Sequence, residues 1–115
     1  MPDEIDNLLR RMIAGDAAAA EEVLDRARTA STPKLLVAAA LATTEPHGLL
    51  ARATDNAVTT RDRQLVAVAT AHLNHNADVL DVLVREHLSE FPDNILAAWI
   101  AAEHLRAGQP TPLHP

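Results

Sequence analysis

The chain has 115 residues, no cysteine and a formal net charge of -6, from 16 acidic and 10 basic side chains. That length suits one domain with a real hydrophobic core. The acidic balance argues against a phosphate-binding nucleic-acid surface, and the lack of cysteine excludes disulfides, thiolate metal sites and thiol nucleophiles.

Alanine and leucine supply most of the apolar residues, Phe91 and Trp99 are the only aromatics, and there are three glycines. Alanine is the best helix former, and its small side chain lets helix axes approach closely. This composition predicts an all-helical protein. No apolar run approaches the roughly 20 residues that a membrane-spanning helix needs. The opening MPDEIDNLLRR lacks the basic and then apolar regions of a signal peptide, so the cytoplasm is the expected compartment. Nine arginines against one lysine, amid so much alanine, suggests a GC-rich bacterial genome as the expected source.

Asp3 can cap a first helix whose apolar residues Ile5, Leu8, Leu9, Met12 and Ile13 fall on one stripe. Gly15 is placed to end it and Asp16 to cap the second helix. That helix turns Ala20, Val23, Leu24 and Ala27 inward and ends near Ala30. Ser31-Thr32-Pro33 is a restart signal, a hydroxyl cap followed by proline at the first helical position. The third helix, Lys34 to about Thr43, is apolar all round and should be buried on several sides.

Thr44-Glu45-Pro46 breaks the third helix, and a fourth is expected from about His47 to Ala57. Thr59 or Thr60 caps a fifth, Arg61 to about His75, with Leu65, Val68, Ala69, His72 and Leu73 on one face. A sixth spans Ala77 to Glu90, and Pro92-Asp93-Asn94 ends it and caps a seventh, Ile95 to Ala107, closed by Gly108. Residues 1–109 form the single domain of this reading, and 110–115 a flexible proline-rich tail. Turns this short make neighbouring helices antiparallel.

Shifting the chain by 59 residues lays Pro33 on Pro92, Val23-Leu24 on Val82-Leu83, Arg26 on Arg85 and Gly15 on Asn74. The same order recurs: helix, tight turn, helix, proline, apolar helix. Each proline would end one hairpin and start the next, as in helical solenoids.

The stretch from Thr60 to Gly108 resembles divergent bacterial tetratricopeptide-repeat proteins. TRDR at 60–63 opens a helix A, HNADVLDVLVREHLSEFPDN reads as turn, helix B and terminal proline, and AAWIAAEHLRAG as the next helix A. Residues 14–33, AGDAAAAEEVLDRARTASTP, echo that turn, helix B and proline. The resemblance implies a right-handed α-α superhelix that binds a protein or peptide. A compact helical bundle is the alternative, since the 59-residue shift is no multiple of the family's 34-residue period and alanines stand where its helix A carries large aromatics.

His72 and His75 are three residues apart and could chelate a metal if a third ligand came from elsewhere. Against this, His72 lies on the apolar stripe and His75 at the helix end, so the plainer expectation is one packed histidine and one turn residue. His87 falls on an inward face, where an imidazole titrates near neutral pH or is satisfied by a hydrogen bond. The acidic residues of the second and sixth helices read as solvated outer faces. Arg61 and Arg63 put cations in a helix first turn, against the dipole, which calls for a carboxylate nearby or on a partner.

The last helix is apolar on two sides, with Ile95, Trp99 and Ala102 on one and Leu96, Ala97, Ile100 and Ala101 on the other. A second subunit, further repeats or the tail would have to cover one of them. No catalytic residue, cofactor or metal is expected. The predicted function is a non-catalytic protein–protein interaction module, with Arg61, Arg63, Gln64, His72 and Trp99 as contact residues for a protein or peptide partner. The alternatives are a regulatory homodimer formed through the last helix, and a metal-binding bundle using His72 and His75.

Overall fold

The computed structural model describes residues 4–108. They form seven α-helices and no strand: α1 Glu4–Ile13, α2 Ala17–Ala27, α3 Pro33–Leu41, α4 His47–Asn56, α5 Thr60–Leu73, α6 Ala77–Glu90 and α7 Ile95–Gly108. The all-α class and the number of helices are as the sequence predicts. Both Asp3 as a cap and the tail at 110–115 lie outside the described residues. Among those described, no helix is long and apolar enough to cross a membrane.

Local chemistry accounts for most of the boundaries. In α1, Glu4 and Asp6 stand in the first turn and Arg10 and Arg11 in the last, each sign matching its end of the helix dipole. Gly15 ends this helix at φ 99°. Its N–H donates to the Met12 carbonyl (3.0 Å) and that of Asp16 to Arg11 (3.0 Å), the double bond of a Schellman turn. The Asp16 carboxylate then accepts from the Ala18 and Ala19 N–H groups at 3.0 and 3.3 Å, capping α2. These backbone bonds, Ala19's first, and the Arg11 side chain hold the Asp16 carboxyl below its ordinary pKa.

The α5–α6 turn repeats this geometry, with His75 in the left-handed position at φ 58°. The His75 N–H donates to His72 (3.2 Å) and that of Asn76 to Ala71 (3.0 Å). Helix α5 therefore stops at Leu73, two residues before the expected His75. The equivalent turn residues are thus Gly15 and His75, not Gly15 and Asn74. Nor do the prolines match: Pro33 is the first residue of α3, whereas Pro92 lies in the turn before α7, which Asn94 caps. Helix α6 has 14 residues against the 11 of α2, so the two copies lose register there. Thr32 occupies the cap position of α3 without a side-chain capping bond.

Helix α3 is the centre of the molecule. Leu35 to Ala40 are all buried, and the helix touches α2, α4 and α5. Its one polar side chain, Lys34, pairs with Asp6 of α1. Helices α3, α5 and α7 lie side by side in chain order, as stacked hairpins would place them. Helix α7 also meets α1, however, so the row closes on itself. The chain is a compact helical globule.

Candidate functional site

The five residues singled out in the sequence occupy three separate places. Arg61 and Gln64, on the first turns of α5, face the α6–α7 turn. A guanidinium nitrogen of Arg61 stands 3.4 Å from Asp93, and its guanidinium carbon lies 5.4 Å from the centre of the Phe91 ring. The carboxylate that two cations in a helix first turn require is therefore supplied, for Arg61, within the chain. Gln64 is held on both sides, by Glu90 at 3.0 Å and by the His87 ring at 2.9 Å.

His72 and Trp99 meet elsewhere, between α5 and α7. Their rings stand edge to face, with centres 6.0 Å apart and planes at 76°. Such an arrangement places the positive edge of one ring on the negative face of the other. His72 also lines a cleft of about 180 Å³ with His75, Leu80, Glu103 and His104. Burial pushes the His72 pKa down, Glu103 works against this, and His75 and His104 add to it. His104 turns its Nε2 to Asp81 at 3.5 Å. Three imidazoles thus border one cleft, yet among the described residues no three His, Asp or Glu side chains converge on a point that could hold a metal. His75 is exposed in its turn, and no third ligand for a His72–His75 pair is assembled among the described residues.

Trp99 is half-buried and borders a second cleft with Met12, Ile13, Ala20 and Leu41. On that side of α7, Ile95 and Trp99 are partly buried against the core of the same chain. Ala98 and Ala102 are exposed, and Leu105, 66% exposed, is the large apolar side chain that α7 offers to solvent among the described residues.

Arg63 lies on the opposite side of α5 from His72 and is exposed. Among the described residues it takes part in no ion pair. It stands at the rim of an open groove of about 440 Å³ in which α5 is the floor. Val66, Ala67 and Ala71 form that floor, Thr54 of α4 one wall, and Val79 and Leu83 of α6 the other. The groove continues onto Val82, 53% exposed, while Val79 is 45% exposed.

The sequence reading did not find this groove. Its signal was present in ADVLDVLV, where Val79 and Val82 stand three apart, each directly after an aspartate, off the stripe of Leu80 and Val84. A β-branched pair on the acidic side of a helix is the mark of an apolar strip outside the core. No known protein family, curated protein or solved structure matches the chain.

Proposed function

We propose that the chain is a non-catalytic interaction module, a repeat-like helical scaffold that holds another protein through the groove over α5. The observation that carries this is the groove over α5, where Val66, Ala67 and Ala71 form the floor, α6 leaves Val79 exposed and Leu83 half-buried beside it, and Val82 extends the apolar surface along α6. Surface valines occur singly on any protein; a contiguous strip along two helices marks a contact site. Its side chains are small or branched, with Thr54, Thr70, Asn74, Asn76 and the cation Arg63 as the polar groups along it. A straight apolar ridge with one carboxylate fits it, which is what an amphipathic helix presents at i, i+3, i+4 and i+7. The resemblance to tetratricopeptide-repeat proteins supports the same reading, because that family holds peptides on helical surfaces.

The test is a displayed library of helical peptides, selected on the folded protein and mapped by amide chemical shifts. Selected peptides should share an apolar stripe with one acidic residue and shift amides of α5 and α6. The double variant Val79→Gln/Val82→Gln, at positions already exposed, should keep its circular dichroism and bind at least about tenfold more weakly, the loss expected when apolar contacts at a small interface go. Peptides that map to another surface, or bind the variant equally well, would remove the groove from consideration. Should light scattering show a dimer that the same variant dissolves, the occupant is a second copy and the hetero-partner reading fails.

A further inference from the structure

Hydrogen bonds of a single polarity run from α5 through α6 to the start of α7. Glu90 accepts from Gln64 Nε2 at 3.0 Å. A carboxylate can only accept, so the amide of Gln64 is oriented with its oxygen toward His87. That oxygen is 2.9 Å from His87 Nδ1, which must therefore carry the ring hydrogen. At the other end, Asn94 Oδ1 receives the N–H groups of Leu96 and Ala97 at 3.2 and 3.4 Å and caps α7. Backbone N–H groups can only donate, so Asn94 turns its NH₂ toward His87 Nε2, at 2.9 Å. Both ends fix the same tautomer, a neutral ring with hydrogen on Nδ1. His87 and Asn94 are 0% and 2% exposed, so water offers no substitute partner.

A proton on Nε2 would break this arrangement at one point. The imidazolium donates from both nitrogens and would meet the Asn94 NH₂ donor to donor. Asn94 can answer it only by rotating its amide, which turns the NH₂ onto the N–H groups of Leu96 and Ala97. We infer that His87 is a pH-operated latch on α7: in the neutral form it holds Asn94 in its capping orientation, and on protonation it withdraws the cap from the first turn of that helix.

The charges facing the ring are Arg61 from α5 and Glu90 from α6; the α6–α7 turn presents Asn94, and its Asp93 is engaged with Arg61 at 3.4 Å. Burial holds the imidazole below the ordinary histidine value of 6.5, Arg61 adds to this, and Glu90 opposes it. The folded, capped state therefore prefers the neutral ring, and the open chain binds the proton more readily. By linkage the contribution is fully present above about pH 6.5 and is lost as pH falls below it toward the lower folded value. Two other histidines bear on this helix: His72, whose ring touches Trp99 and is also held low by burial, and His104, which lies in α7 with its Nε2 3.5 Å from Asp81.

Amide hydrogen exchange between pH 7.5 and 5, expressed as protection factors, tests the latch. Protection of Leu96 and Ala97 should fall by about fivefold across that range, the effect of losing one side-chain cap, while that of Val37 and Ala38 in α3 stays constant. The response should persist in His72→Gln and in His104→Gln. Asn94→Asp is the reversing variant: its carboxylate can cap α7 with one oxygen and accept from a protonated His87 with the other. In that variant His87 should titrate above its wild-type value and the first turn of α7 should become better protected as pH falls. Three results would each overturn the latch: unchanged wild-type protection at Leu96 and Ala97, loss of the response in His72→Gln or His104→Gln, or a nitrogen-15 spectrum of the wild type at pH 7.5 showing His87 with its hydrogen on Nε2.

Discussion

Replacing Ala39 with leucine tests why so much of this core is alanine. Consecutive helical residues point about 100° apart, so Ala38, Ala39 and Ala40 face three directions, and α3 has three principal neighbours, α2, α4 and α5. All three alanines are 0% exposed. Leucine would add three carbons, worth about 0.8 kcal/mol each if space existed to bury them. A helix enclosed on every side has no such space, and the neighbouring helix must move outward. Overpacking of this kind costs about 1–3 kcal/mol net, and three added carbons place Ala39→Leu toward the upper end. The control is Ala18→Leu, an exposed alanine in the first turn of α2, where the change should stay within about 0.5 kcal/mol. Urea unfolding followed by circular dichroism measures both. Equal stability of the two variants would mean that the alanines of α3 do not set the distance between helices.

The two Schellman turns predict effects of opposite sign. A Cβ on Gly15 would meet nothing within 4 Å, so Gly15→Ala should cost only the backbone penalty of φ 99°, about 1 kcal/mol. His75→Gly relieves a side chain held at φ 58° and should stabilise by about 0.5 kcal/mol after the greater freedom of glycine in the unfolded chain is subtracted; thermal melts that move both variants the same way contradict this account. Arg52 of α4 donates from Nη2 to the Ala30 and Arg28 carbonyls, at 2.7 and 3.4 Å, just past the end of α2. Arg52→Ala should cost about 1–2 kcal/mol through the lost charge-assisted bonds, and faster amide exchange at the α2 end of the molecule should accompany it. An Arg52→Ala protein as stable as wild type would show that water caps those carbonyls equally well.

The sequence by itself determined the class, the number of helices and most of their ends, because those depend on interactions between residues a few positions apart. Asp16 caps α2, Thr59 caps α5 and Gly15 terminates α1 from chemistry contained in five or six residues. The burial of α3 was equally legible, since a helix with no polar side must be enclosed. Tertiary structure decided what depends on distant segments meeting. Pro33 and Pro92 align in sequence yet hold different positions, because α6 runs three residues longer than α2 before its turn. Helix α7 meets α1, at the far end of the chain, with Trp99 and Met12 bordering one cleft, a neighbourhood that local pattern does not predict. Gln64, His87 and Asn94 are each unremarkable in their own helices or turns. Only the packing of α5, α6 and the start of α7 brings a donor opposite an acceptor at every step, and hydrogen-bond polarity across three segments has no signature in any one of them.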